Sequence, residues 1–218
     1  KDFAAAFSSC LHGIPDSWYS ALIAPSFVGP YYAKEAPRPV TVEELQVIIR
    51  QFGEAALRVK KAGADGVEIH AAHAHGLLGG FLSPLYNKRT DAYGGDINGR
   101  LKLTLEVIAE VRKICGKDFI IDVRISGDEY SDGGLNLNDA IYVSKQLEKA
   151  GVDMLHVSGG TTIKRGSSIP APGTKMDLTA RSPQRSKNMF RSRWQLWDAS
   201  QNHGWQKNFW KMIRQISA

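Results

Sequence analysis

Three histidines stand close together near the middle of the chain. They are His70, His73 and His75, and they follow directly on a short apolar run at residues 66–69. Imidazole titrates near neutral pH, so it can act as an acid or base, donate a hydrogen bond or bind a metal ion. Active sites of α/β proteins collect where parallel strands end. The spacing therefore predicts a functional site, with metal ligation and plain surface histidines as the alternatives.

An arginine lies near the end of the next apolar run. Arg124 belongs to residues 119–125 and is expected at the same edge of the sheet as the histidines. A guanidinium is always charged in proteins, and burying it without a partner is costly. One interpretation gives it an anionic or carbonyl group of a ligand as its partner. The other gives it a structural salt bridge to Asp122 or Glu68.

Helical and apolar segments alternate along the chain. Thr41 and Glu44 form a capping-box pattern that predicts a helix ending near Gly63. Further predicted elements are helices at residues 101–111 and 140–150, and strands at residues 66–69, 119–125 and 154–157. This order indicates a parallel sheet with helical crossovers. Apolar strands between helices fit a barrel and a doubly wound sheet equally well.

Composition narrows the protein class. The chain has no run of 18 apolar residues and no signal pattern at its start, which indicates a soluble protein without a membrane partner. Cys10 and Cys115 are too few for a disulfide framework or a metal site, so we expect a cytoplasmic location. No acid stands beside the histidines at metal-binding spacing, which disfavours a metal-dependent barrel hydrolase. Because the chain begins at Lys1, we expect its natural start upstream.

The last 40 residues differ from the rest. Residues 179–218 hold eight Lys or Arg against one acid, a net charge of +7, so residues 1–178 carry −1 of the total of +6. Four of the five tryptophans also lie in this tail. A basic, tryptophan-rich extension is one known way to bind nucleic acid, because bases stack on aromatic rings beside positive charge.

Four motifs carry a family resemblance. They are VEIHAAH at residues 67–73, FLSPLYNKRTDAYGG at 81–95, DVRIS at 122–126 and VDMLHVSGG at 152–160. Together they resemble the old yellow enzyme family of FMN-dependent oxidoreductases, in particular its bacterial enoate and 2,4-dienoyl-CoA reductases and their steroid- and bile-acid-acting relatives. The resemblance implies an α/β fold, a (β/α)8 TIM barrel with FMN at the carboxyl ends of its strands. The three predicted strands correspond to the fourth, fifth and sixth of eight.

The resemblance also implies roles for the polar residues. In such enzymes an H-x-x-H pair binds the substrate carbonyl oxygen, which matches His70 and His73, while hydride passes from the reduced flavin to the β-carbon. The strand-five arginine contacts the flavin edge, which matches Arg124. The family reads H-x-x-H-G-Y, with the tyrosine as proton donor, whereas this chain has Ala74 and His75 and one additional residue before Phe81. Either His75 replaces the tyrosine as acid, which we favour, or the loop is displaced.

The tail departs from the family, which continues to a seventh strand of the form IPVATVGRI. If the reading frame is moved back by one nucleotide, with permitted codon choices, residues 187–215 become KKHVPIPVATVGRITEPWMAEELLENDPA. We therefore interpret residues 1–178 as a partial FMN-binding TIM-barrel domain and residues 179–218 as an out-of-frame translation of the strand-seven region, with a nucleotide shift between about residues 177 and 185.

The sequence thus predicts an FMN-dependent oxidoreductase that reduces, or forms, the C=C bond of an α,β-unsaturated carbonyl compound with NAD(P)H. The substrate would be an enoate, an enoyl-CoA or a steroid enone, and no nucleic acid is expected as a partner. Larger family members imply an iron–sulfur cluster and FAD in the parent protein outside this chain. As a fragment with three barrel strands, the chain is expected to be inactive alone. The alternative function is nucleic-acid binding through the tail.

Overall fold

The computed structural model describes residues 23–27 and 37–161, and the tail and the N-terminal 22 residues lie outside this description. The main sheet consists of three parallel strands in chain order, which are β3 (Gly66–Ala71), β4 (Ile120–Asp128) and β5 (Met154–Gly159). Two short parallel strands precede it, β1 (Ile23–Ala24) and β2 (Arg38–Pro39). The predicted parallel arrangement is confirmed.

Helix α1 (Val42–Lys61) begins at the predicted capping box. The Thr41 hydroxyl accepts a hydrogen bond from the Glu44 amide, and the Glu44 carboxylate accepts one from the Thr41 amide. Hydrogen bonds from the Arg38 guanidinium are the main reason that the pKa of Glu44 falls to about 2. The helix buries one face along its length, through Leu45, Ile48, Ile49, Gly53 and Ala56.

Two longer helices connect the strands of the main sheet. Helix α3 (Ile97–Cys115) lies between β3 and β4, and helix α4 (Leu137–Lys149) lies between β4 and β5. Both begin three or four residues before the predicted starts, because Asp96 and Asn136 cap their first turns with side-chain oxygens. The periodic apolar positions therefore located these helices but not their ends.

A short helix, α2 (Gly76–Leu82), was not predicted. It carries three glycines, which disfavour helix, so only tertiary packing explains it. All its residues after Gly76 are buried. A Cβ atom on Gly79 would lie 2.5 Å from the carbonyl oxygen of Ala72, so glycine lets this helix approach the end of β3 closely.

The core lies between the sheet and the helices. It includes Ile69, Ile121, Val123, Ile125 and Leu155 from the strands, and Leu45, Leu103 and Leu147 from the helices. The side chains that alternate with these strand residues face away from the helices. Within the described ranges, none of the helices combines the length and apolar character needed to cross a bilayer.

Candidate functional site

The sheet face opposite the helices is polar. The strand register pairs His70 with Arg124 and Arg124 with His156, so one side chain from each strand stands in a row across this face. One layer towards the strand starts, Glu68 pairs in register with Asp122. Residues paired in this way point to the same side of a sheet. The strand register therefore places a histidine predicted from the sequence beside the predicted arginine.

Glu68 has a different partner from the one considered in the sequence. Its carboxylate lies 2.7 Å from Nδ1 of His156, two strands away. Burial, followed by the charge of Glu68, raises the pKa of Asp122. In the described part of the chain Arg124 has no ion pair with either acid, so the salt-bridge interpretation of Arg124 is not supported there.

The segment after β3 turns sharply. His73 and Ala74 both have left-handed backbone conformations, with φ of 64° and 52°, and Gly76 follows with φ of 65°. Such conformations are costly for residues with a side chain and persist only where surrounding contacts impose them. One such contact is visible, because the His73 amide donates to Oγ of Ser126 on β4 at 2.6 Å. The turn is thus tied to the neighbouring strand.

Both ring nitrogens of His73 are engaged by β5 and the residue that follows it. Nδ1 lies 3.2 Å from the carbonyl oxygen of Gly160, which can only accept, so Nδ1 carries the hydrogen. Burial is the main cause that lowers the pKa of His73. In the neutral ring Nε2 is then an acceptor, and the Ser158 hydroxyl donates to it at 3.0 Å. In this arrangement His73 has no hydrogen left to donate to a substrate.

His70 contacts the other two histidines through its ring. Its ring centroid lies 5.8 Å from that of His73, stacked, and 6.1 Å from that of His75, edge to face. Desolvation is the main cause that lowers the pKa of His70 to about 4, followed by the electrostatic influence of His73 and then by the charge of Arg124. Burial and the neighbouring His73 also lower the pKa of His75. The cluster is therefore neutral at pH 7, and a neutral imidazole still donates one hydrogen bond.

Arg124 has an incomplete set of partners. Its Nη2 donates to Oγ of Ser158 at 3.1 Å. Its Nε is buried and has no hydrogen-bond partner among residues 23–27 and 37–161. A guanidinium with a buried free donor fits an electron-rich ligand edge such as a carbonyl oxygen or a ring nitrogen, as the isoalloxazine of FMN presents.

A buried carboxyl holds the loops behind the site. Glu129 follows β4 and is fully buried, and its Oε2 accepts hydrogen bonds from the Ser83 hydroxyl at 2.9 Å and the Leu135 amide at 2.8 Å. Desolvation raises its pKa to about 7 despite these hydrogen bonds. This residue joins the loop after α2 to the loop after β4.

The structure thus brings together His70, His73 and His75, at and just after the end of β3, with Arg124. The strand β4 continues for four residues beyond Arg124, so this arginine lies in the middle of its strand and not near the end, as the sequence had predicted. Sequence reasoning missed Ser126 and Ser158, which bind His73, and the pair formed by Glu68 and His156. Period-two alternation within DVRIS and MLHVS would have placed these side chains on the polar face. Within the described ranges, no three His, Cys, Asp or Glu side chains are grouped to hold a metal ion.

Comparison with known proteins identifies related sequences. Residues 23–196 match the family model described as the NADH:flavin oxidoreductase / NADH oxidase family. The chain is 42% identical over 138 residues to an NADH oxidase of Thermoanaerobacter brockii, covering 63% of this chain and 21% of that protein. It is 42% identical over 151 residues to an NADPH dehydrogenase of Halalkalibacterium halodurans, covering 69% of this chain and 42% of that protein.

Solved structures show the fold. The chain superposes on an old yellow enzyme homologue from Zymomonas mobilis with a TM-score of 0.69 at 23% identity, over 90% of this chain and 55% of that one. A 2-naphthoyl-CoA reductase in complex with 2-naphthoyl-CoA gives a TM-score of 0.61 at 28% identity, over 65% of this chain and 22% of that one. With the parallel strand order, these similarities show part of a TIM barrel. The chain spans less than half the length of the two curated relatives.

Proposed function

Because the chain belongs to the NADH:flavin oxidoreductase / NADH oxidase family, we propose that its polar sheet face serves an FMN enzyme that uses NAD(P)H. The reaction is reduction of the C=C bond of an α,β-unsaturated carbonyl compound, or the reverse. The observation that carries this proposal is Arg124, whose buried Nε is a free donor within the described residues, beside a histidine cluster kept neutral.

Arg124 would hold the cofactor edge. Its charge lies next to His70 in the strand register, so a group bound by the guanidinium also lies beside the imidazole. Bound FMN would supply or accept the hydride. A fixed positive charge favours an electron-rich ring, which is the way a protein tunes such a cofactor.

His70 would hold the substrate carbonyl oxygen. Among the described residues no protein atom hydrogen-bonds its ring, and its lowered pKa keeps one N–H as a neutral donor. A donor aimed at an oxygen that gains negative charge stabilises that charge, and losing one such donor costs about 100-fold or more in rate. His73 would act as a second donor only after its hydrogen had moved from Nδ1 to Nε2 and Nε2 had left the Ser158 hydroxyl for the substrate oxygen.

His75 would give the proton to the α-carbon. It is the N-cap residue that precedes α2, edge to face with His70, near the place of the family's tyrosine. Burial lowers the pKa of His75, so its protonated form, although a minority at pH 7, would give up its proton more readily than an ordinary imidazolium. The complex of the related 2-naphthoyl-CoA reductase with 2-naphthoyl-CoA favours a thioester carbonyl, as in an enoyl-CoA, among the candidate substrates.

A chimera tests this proposal. Residues 37–161 replace the matching segment of the Halalkalibacterium halodurans NADPH dehydrogenase, and bound FMN and enone-dependent NAD(P)H oxidation are measured. We expect FMN retention and turnover, loss of FMN with Arg124→Met, and retained FMN with turnover lowered about 100-fold with His70→Gln. A chimera that folds, by circular dichroism, but holds no FMN would contradict the proposal.

The 218-residue chain alone is proposed not to retain FMN, because its described main sheet has three strands and a barrel needs eight. A stable yellow preparation would contradict this.

The tail remains proposed as a frame-shifted segment. Sequencing of the gene around codons 177–185 tests this. Its charge of +7 favours the second candidate, nucleic-acid binding, which requires salt-sensitive DNA or RNA retention that disappears in a 1–178 truncation.

A further inference from the structure

Ser158 connects the two halves of the candidate site through one oxygen atom. Its Oγ lies 3.1 Å from Nη2 of Arg124 and 3.0 Å from Nε2 of His73. The side chain is 9% exposed, so water competes little for these hydrogen bonds. The hydroxyl stands on β5, while the two groups it contacts come from β4 and from the turn after β3.

The direction of each hydrogen bond follows from the donors available. A guanidinium has only donors, so Arg124 donates to Ser158. The single hydroxyl hydrogen of Ser158 is then free to be given to another acceptor. His73 offers that acceptor at Nε2, because its Nδ1 hydrogen points to the carbonyl oxygen of Gly160 at 3.2 Å. The result is a one-way chain from Arg124 through Ser158 and His73 to Gly160.

We propose that Ser158 is a positioning residue that fixes the guanidinium orientation of Arg124 and holds His73 in its Nδ1-protonated form. The functional meaning of this inference rests on the proposed function, because Arg124 is the group that would contact FMN. The hydrogen bonds of Ser158 themselves belong to the chain without a ligand. While Ser158 bridges Arg124 and His73, His73 has a supporting role and the substrate carbonyl is left to His70.

The arrangement also couples the two groups. The charged Nη2 of Arg124 polarises the Ser158 hydroxyl, which strengthens its donation to His73. A ligand that draws Nη2 away weakens this donation and makes the hydroxyl oxygen a better acceptor for a different donor. The hydroxyl can then accept from Nε2 of His73, which requires the ring to adopt the other tautomer and lose its hydrogen bond to Gly160. Occupancy at Arg124 and the donor state of His73 are therefore linked through one serine.

Nitrogen NMR of the 15N-labelled 218-residue chain tests the inference, since long-range 1H–15N correlations distinguish the two tautomers. We expect His73, assigned by its loss in His73→Gln, to be protonated at Nδ1. In Ser158→Ala the signals should shift to a tautomer mixture, and rotation of the Arg124 guanidinium should become faster. Ser158→Thr keeps the hydroxyl and should restore the wild-type pattern.

Ser126→Ala is the matched control, because Ser126 binds the amide of His73 and not its ring. It should leave the tautomer unchanged. Nε2 protonation of His73 in the unsubstituted chain, or an unchanged His73 spectrum in Ser158→Ala, would overturn the inference. Neither result depends on FMN or turnover, so this test and the test of the proposed function fail separately.

Discussion

The hydroxyl of Ser83 donates a hydrogen bond to the buried carboxyl of Glu129 at 2.9 Å, across 46 positions of the sequence. The same carboxyl oxygen accepts the amide of Leu135, so one atom holds the loop after α2 and the loop after β4. The first loop follows α2, which begins directly after the histidine cluster, and the second follows β4, the strand that carries Arg124. The stability of this edge therefore depends on a group that titrates near physiological pH.

Stability is expected to fall as pH rises through the range set by Glu129. Its pKa in the folded chain is about 7, raised from an ordinary value of 4.5, so between these values the folded state binds the proton that the unfolded state has lost. The stabilisation that Glu129 gives the folded state is fully present below pH 4.5 and is lost by the time the pH exceeds about 7. The free energy of unfolding falls by roughly 3 kcal/mol over this range. Urea unfolding at several pH values measures it.

Glu129→Gln should flatten this pH dependence, because the amide oxygen can accept the same two hydrogen bonds without ionising. Glu54→Gln, on the exposed face of α1, is the control and should keep the slope. An unchanged slope in Glu129→Gln would show that another group causes the dependence.

His70 is expected to resist protonation until the pH approaches 4. Its pKa is lowered from 6.5 to about 4, chiefly by desolvation and then by His73 and Arg124. The folded state thus loses stability as pH falls from 6.5 through 4. Arg124→Met should raise the pKa of His70 part of the way, because desolvation remains. NMR titration of the His70 ring proton measures this.

Arg58→Met, which removes an exposed charge from the end of α1, is the control and should leave the His70 titration unchanged. A lower pKa of His70 in Arg124→Met would contradict the electrostatic interpretation.

Two alanine substitutions in α2 should have opposite effects. Gly76 has φ of 65° and no atom near its missing Cβ, so Gly76→Ala should destabilise by about 1–2 kcal/mol through backbone strain alone. Gly80 has an ordinary backbone, and a Cβ there would meet Pro25 Cδ at 3.4 Å, an ordinary contact. Gly80→Ala should stabilise by about 0.5–1 kcal/mol, because alanine favours helix. Thermal and urea unfolding compare the two, and effects of the same sign would argue against the φ assignment.

Thr41→Ala should weaken the start of α1. The side chain of Thr41 accepts the Glu44 amide, and losing an N-cap of this type costs about 1 kcal/mol. Thr41→Ser retains the acceptor and should differ from the natural chain by only a few tenths of that amount. Urea midpoints of the three proteins measure the difference, and a loss in Thr41→Ser equal to that in Thr41→Ala would rule out the cap as the cause.

The sequence predicted the parts of the fold that repeat. Alternating apolar runs and helical periods located all three strands of the main sheet and the helices α1, α3 and α4, and the capping box located the start of α1. Helix α2 was not predicted, because its glycines carry no helical signal and its stability comes from contact with residues distant in the chain. The barrel itself came from the family resemblance, since periodicity does not separate it from an open sheet.

The candidate site was predictable in its members but not in its connections. His70 stands near the end of β3 and Arg124 in the middle of β4, and strand register places them side by side. The left-handed turn at His73 directs its ring towards β5. The local sequence does not predict the direction of a side chain in such a turn. The Ser158 hydrogen bonds span 34 and 85 positions, so they follow only from the assembled sheet.

The left-handed turn after β3 divides the site into a constant part and a variable part. His70 and Arg124 are fixed by the sheet, where an inserted residue would turn every side chain that follows to the other face. His73 and His75 lie beyond the last paired residue of β3, where loop length can change without disturbing that register. Evolution can therefore alter the residues proposed to supply the acid and shape the pocket by lengthening this turn, while the residues proposed to hold cofactor and carbonyl stay in place.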